Sequence, residues 1–228
     1  MIPNDSNIIS LELAAKTLEP LLSELILVGG CAVGLLITDR ARPPIRHTID
    51  VDLLTEVTPL SSYYELCDSL RGLGFVESQD VICRWRKDEL IIDVMPTDAK
   101  VLGFTNSWYE LTAKMPITIR LPSGINIRHI TAPLLIATKI ESFYGRGNGD
   151  YLHHDIEDII NLVDGRPELL SEIREAPSNL REYIEEEIDD FLADRTFVDT
   201  IQMHLQPTQE EQERRSIILE RLIKIAGL

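Results

Sequence analysis

The hydrophobic pattern of this sequence changes character once, near Ile130, and that change limits the fold more than any other feature. Before it, short apolar runs of strand length alternate with stretches of helical period. Ser10 stands as a cap for a helix over Leu11–Leu22, which Pro20 is expected to kink. Leu25–Val28 reads as a buried strand that ends at Gly29-Gly30, and Cys31–Ile37 as the start of a helix. Ile49–Leu54 reads as a second strand and Leu60–Leu73 as an amphipathic helix closing near Gly72 or Gly74. Val81–Arg86 with Leu90–Met95, and Ile117–Leu121 with Ile125–Ile130, have the form of two hairpins. After Ile130 the periodicity is helical: Pro133–Tyr144, Asp155–Val163, then helical patterns alone from Pro167 onward. The expectation is an α/β core with a mixed sheet over residues 1–130, followed by an all-α part over 131–228.

Charge and cysteine usage narrow the environment. The formal net charge is −16, so a broad nucleic-acid surface is disfavoured, because phosphate binding depends on Lys and Arg. A small basic footprint remains available around Arg40, Arg42, Arg46, Lys139 and Arg146. The longest apolar candidate, Leu21–Ile37, is broken by Glu24 and three glycines and is no membrane span. The first residues carry no basic region of a secretory signal. Three widely spaced cysteines with no Cys-x-x-Cys pair suit a reducing compartment, so a cytoplasmic location is expected.

Three features carry chemistry. In Thr48-Ile49-Asp50-Val51-Asp52-Leu53-Leu54, a strand would project Asp50 and Asp52 to one face and Ile49, Val51 and Leu53 to the other. Two carboxylates side by side repel unless a cation lies between them, and hard oxygen ligands suit Mg²⁺. The bland reading is an exposed strand face with two solvated acids. Asp93 is a single acid within the apolar run Ile91-Ile92-Asp93-Val94-Met95. Burying it is costly unless it is paired or metal-bound; it either joins Asp50 and Asp52, faces solvent, or pairs with Arg84 or Arg86 across the hairpin. Gly29-Gly30, between strand and helix, lets backbone approach a ligand closely, and the helix N-terminus offers N–H groups to phosphate. The acidic run Glu185–Asp190 reads as a solvated face, Trp85 and Trp108 as packing residues, and His153-His154 as loop residues without a third spaced metal ligand.

Taken together, strand, glycine pair, helix, Asp-x-Asp and a later lone acid resemble the nucleotidyltransferase superfamily that includes DNA polymerase β. The second half narrows the likeness. Lys139 and Arg146 on one helix precede His154-Asp155-Ile156-Glu157-Asp158, and Arg46, Thr48, Asp50 and Asp52 form an Arg-x-Thr-x-Asp-x-Asp stretch. This is similar to the AbiEii/AbiGii-type nucleotidyltransferase toxins over about residues 25–165. Cys31 stands where that superfamily usually has a small hydroxyl residue, and His154 where the toxins usually have Lys.

The resemblance implies a Mg²⁺-dependent transfer of a nucleotide from an NTP to an acceptor hydroxyl. Gly29, Gly30 and Cys31 would hold the triphosphate, Asp50 and Asp52 would bind Mg²⁺, and Asp93 would bind the catalytic metal and assist deprotonation. By its chemistry Arg46 can grip phosphate with a bidentate fork, and Lys139 can neutralise it as a point charge. Asp155 and Asp158, three apart on one helix face, would orient Lys139 or bind the acceptor. The implied acceptor is RNA, a tRNA 3′ end, and the implied partner a cognate antitoxin protein; no membrane is involved. Two further readings are an antibiotic-modifying nucleotidyltransferase, whose cationic acceptor would suit an acidic pocket, and a non-catalytic nucleotide-binding interaction module. Lys139→Ala is expected to weaken nucleotide binding with little change in melting temperature. Asp50→Asn and Asp52→Asn are each expected to stabilise the apo protein slightly by relieving repulsion.

Overall fold

A computed structural model describes residues 6–39, 45–56 and 60–227. Arg40 and Arg42 of the basic loop lie outside the described residues. The chain divides into two compact units, Met1–Leu35 with Pro44–Thr131, and Leu36–Pro43 with Ala132–Leu228.

The first unit carries α1 (Ser6–Thr17), β1 (Leu25–Leu27), α2 (Gly29–Leu36), β2 (Val51–Thr55), α3 (Leu60–Gly72), β3 (Val76–Glu77), β4 (Arg84–Lys87), β5 (Leu90–Pro96), α4 (Ala99–Leu102), α5 (Tyr109–Lys114), β6 (Ile117–Arg120) and β7 (Asn126–His129). Helix α1 stops at Thr17, and Pro20 lies within a separate single 3₁₀ turn, so the break comes earlier than a kink within one helix. All seven strands form one mixed sheet of order β3-β4-β5-β2-β1-β7-β6. Among the described residues, only β2 with β5 and β1 with β7 run parallel. The central strands are apolar on both faces: Ile26, Leu54, Ile92 and Val94 are all essentially inaccessible to solvent. Helix α3 buries Tyr63, Leu66, Cys67 and Leu70, a single stripe at helical spacing. The tight β4–β5 hairpin turns through Asp88, whose φ is 52°, and fixes Arg84 opposite Asp93. Trp85 is fully buried and lies under the Arg71 guanidinium, 5.4 Å from its ring centre, consistent with a packing role.

The second unit contributes α6 (Ala132–Arg146), α7 (His154–Gly165), α8 (Leu169–Glu175), α9 (Ser178–Ala193), α10 (Arg195–Thr200) and α11 (Gln209–Ala226), and no strand among the described residues. Helices α6 and α7 are buried along most of their length and form its centre. Helix α9 buries Leu180, Ile184, Ile188 and Phe191 and leaves the acidic run between them toward solvent. Phe143, Tyr151, Phe191 and Phe197 close an aromatic cluster, with Phe143–Tyr151 and Phe191–Phe197 centroids 5.5 and 5.1 Å apart. Arg214 reaches from α11 to the buried Asp164 on α7 and to Asp39, tying Asp39 to this unit. No described helix is long and apolar enough to cross a membrane.

Candidate active site

The site residues anticipated from sequence fall into two sets. Gly29, Gly30, Cys31, Arg46, Asp50, Asp52 and Asp93 belong to the sheet unit; Lys139, Asp155 and Asp158 belong to the helical unit.

In the sheet unit, strand register brings the acids together. Asp52 on β2 pairs in register with Asp93 on the parallel neighbour β5, so their side chains share one sheet face. Asp50 does not continue that strand. Ile49 and Asp50 form a bend ahead of β2, which leaves Ile49 73% exposed instead of buried with Val51 and Leu53. The alternation expected across residues 49–54 therefore starts only at Val51. Asp50 still joins the cluster through Arg84. The Arg84 guanidinium binds Asp93 through Nε–Oδ1 and Nη2–Oδ2 contacts of 2.8 Å each, and the same Nη2 contacts Asp50 Oδ2. Of the alternatives open for Asp93, the pairing with Arg84 is realised, and it places Asp93 on the same side as Asp50. Hydrogen bonding to Asp93 raises the Arg84 pKa further above its ordinary value. Burial, with the nearby Asp93 and Asp52 charges, pushes the Cys83 thiol up to about 12, so it stays protonated.

The glycine turn is built against these acids. Val28 N–H donates to the Asp52 carbonyl at 2.9 Å, and the buried Cys31 thiol donates to the Asp50 carbonyl at 3.3 Å. The Cys31 side chain thus ties the turn to the acid strand. Gly29 has φ of +66°, and a Cβ there would run into the Asp52 carboxylate. A Cβ on Gly30 would stand 2.9 Å from Thr48 Oγ1 and 3.4 Å from an Arg46 guanidinium nitrogen. Gly29→Ala combines a left-handed backbone with a steric collision. It should cost more than the roughly 1–2 kcal/mol of the conformation alone, and thermal unfolding against Gly29→Asn would separate the two contributions.

Asn7, unremarked in the sequence, supports this arrangement from α1. Its fully buried amide accepts from Thr48 N–H at 2.8 Å and donates to the Arg46 carbonyl at 3.0 Å. No local pattern marks it, because its partners lie about forty positions away. Among the described residues, the buried Thr48 hydroxyl, facing Gly30, makes no hydrogen bond.

In the helical unit, Lys139 is 5% exposed and lies between two buried acids, Nζ to Asp155 Oδ1 at 3.1 Å and to Asp158 Oδ2 at 2.6 Å. Arg146 clamps Asp155 with two contacts of 2.8 Å. Burial alone would raise the Asp155 pKa, but Arg146 and Lys139 outweigh it and bring the group down to about 2. A carboxylate held lower in the folded state stabilises at pH above its unfolded value and loses that contribution as pH falls through its folded value. Acid unfolding followed by circular dichroism should therefore show a loss of stability between about pH 4 and pH 2 that Asp155→Asn lacks.

His153 caps α7, its Nδ1 accepting from Asp155 N–H at 3.3 Å. Burial lowers the His154 pKa to about 4, against the pull of Asp155, so His154 is neutral at pH 7. Ligand atoms of His153, His154 and Asp155 come within 4.8 Å of one another. Asp155, however, already serves two cations, which disfavour a third charge there.

No family model and no curated protein matches this sequence. Solved structures do. The chain is similar to an antigenic nucleotidyltransferase-like protein from Paracoccidioides brasiliensis, at 21% identity and a TM-score of 0.52 over 87% of this chain and 92% of that one. It is also similar to JHP933 from Helicobacter pylori, at 10% identity and a TM-score of 0.50 over 98% and 93% of the two chains. The fold is thus nucleotidyltransferase-like, an α/β core with a mixed sheet followed by a helical C-terminal part.

Proposed function

We propose that this chain, with its nucleotidyltransferase-like fold, is a Mg²⁺-dependent nucleotidyltransferase that moves a nucleotide from an NTP to an acceptor hydroxyl. The observation that carries the reading is the convergence of Asp50, Asp52 and Asp93 beside a glycine turn that has no room for a side chain. The donor set fits a hard divalent cation: all the ligands are carboxylate oxygens, and a guanidinium already serves as a shared cation between Asp50 and Asp93. Asp50, Asp52 and Asp93 would hold the metal. When bound, it would neutralise the triphosphate and the charge developing on the attacking and leaving oxygens.

The protein's own groups would do the rest. Gly29 and Gly30 bring the start of α2 close to the phosphates, whose charge suits free N–H groups at a helix N-terminus. Thr48 supplies a hydroxyl beside Gly30, while the Cys31 thiol is spent on the Asp50 carbonyl. Arg46 offers a bidentate grip on phosphate. The acceptor oxygen forms its new bond to the α-phosphorus, the bond to the β-phosphate oxygen breaks, and pyrophosphate leaves. Asp93 would take the proton released from the acceptor hydroxyl. Lys139, oriented by Asp155 and Asp158, is the proposed cation of the helical unit for a polyphosphate.

Following the resemblance to the AbiEii/AbiGii-type toxins, the acceptor is RNA at a tRNA 3′ end and the partner a cognate antitoxin. The test is an acceptor panel. Purified protein is incubated with each labelled NTP, Mg²⁺ and either total tRNA or a set of aminoglycosides. Label on tRNA supports the RNA reading. Label only on a cationic drug replaces it with antibiotic modification, and NTP binding without transfer to either supports a non-catalytic module.

A further inference from the structure

We infer that Arg84 is a built-in cation that competes with a divalent metal for Asp50 and Asp93, and so sets how weakly the site holds metal. The inference rests on the reading of these acids as a metal site, and adds a residue to which that reading gives no role. Arg84 faces Asp93 directly across the antiparallel β4–β5 pair, so strand register alone delivers its side chain to the acids. Its fork occupies both oxygens of Asp93 and one of Asp50. The contacts are sheltered: the Arg84, Asp50 and Asp93 side chains are 20%, 25% and 11% exposed. A cation already seated there opposes a second one in two ways. It uses the lone pairs that the metal needs, and it repels the metal across a short, poorly screened distance.

The consequence is a site whose negative charge is partly neutralised until a cation displaces the guanidinium. Displacement frees both oxygens of Asp93 at the same moment, so binding of metal and availability of the proposed proton acceptor become one event. Lys could not reproduce this, because one ammonium lacks the planar fork that spans Asp93 and reaches Asp50 together.

Mn²⁺ binding, read from the free-ion electron paramagnetic resonance signal, tests the inference without any turnover. Arg84→Gln should bind Mn²⁺ about tenfold or more tightly than wild type, since a full charge leaves a partly buried site. Arg84→Lys should lie between the two, and it carries the test if circular dichroism shows Arg84→Gln unfolded. Asp50→Asn and Asp93→Asn should weaken binding. Unchanged or weaker affinity in the folded Arg84 variants, with the two acid variants impaired, would overturn the role of Arg84 and leave the metal site standing. Wild-type affinity in Asp50→Asn and Asp93→Asn would remove the metal site, and this inference with it.

Discussion

Nucleotide transfer should fall by about 10²–10³-fold or more in Asp50→Asn and in Asp52→Asn, the scale seen when a charge organised around reacting groups is removed. Each substitution keeps the side-chain size and removes one negative charge, and an amide is a weaker ligand for a hard cation. The fold should survive both. Asp50 sits in a bend outside the strand, and Arg84 keeps its two contacts to Asp93 when Asp50 is neutral. The sequence alone suggests a small gain in stability for Asp50→Asn from relieved repulsion. The Arg84 bridge reverses that expectation, because the substitution now removes an attractive partner. A loss within about 1 kcal/mol is expected for a partly exposed pair. Initial rates with the preferred NTP and acceptor, alongside thermal unfolding, check both parts. Activity near wild type in a folded Asp52→Asn would defeat the proposed chemistry.

Lys139→Ala should destabilise the protein by about 3–5 kcal/mol, the penalty for breaking a buried ion pair from one side. This corrects the expectation of an unchanged melting temperature. A lysine at a helix edge can keep its head in water, but Lys139 is buried with its ammonium between Asp155 and Asp158, both also shielded from solvent. Removing it leaves Asp158 without that cation, while Asp155 retains Arg146. Lys139→Ala, Asp158→Asn and the double variant form a cycle, read by urea unfolding. A coupling energy of at least about 1 kcal/mol is expected for residues in direct contact. If Lys139→Ala melts as wild type does, the buried pair carries no stability. Effects of this variant on NTP binding are interpretable only at a temperature where it remains folded.

Much of the architecture was legible because its signals are local. The strand, glycine pair and helix at Leu25–Leu36, the two hairpins, and the wholly helical run after Ile130 follow from apolar period and turn residues. Elements without such signals were not anticipated. β3 has only two residues, both exposed, and α4 and α5 span four and six residues with little or no apolar stripe. The bend at Ile49–Asp50 was hidden because apolar and acidic residues alternate through it as they would in a strand. Pairing across the sheet was hidden too. Asp93 was recognisable as an acid in an apolar run, but which partner it takes depends on register, and register placed Arg84 opposite it. The acids on α7 were recognisable from their spacing, whereas their burial around Lys139 emerges only from packing within the helical unit.

On the proposed function, the carboxylates of Asp50, Asp52 and Asp93, beside Gly29-Gly30, form the metal and nucleotide site. The most direct measurement is a crystal structure with Mn²⁺ and a non-hydrolysable NTP, with the metal located by anomalous scattering. An anomalous peak is expected among Asp50, Asp52 and Asp93, with triphosphate against the glycine turn and Arg84 released from at least one acid. A peak at His153, His154 and Asp155 instead, or nucleotide bound with no metal at the three acids, would contradict it.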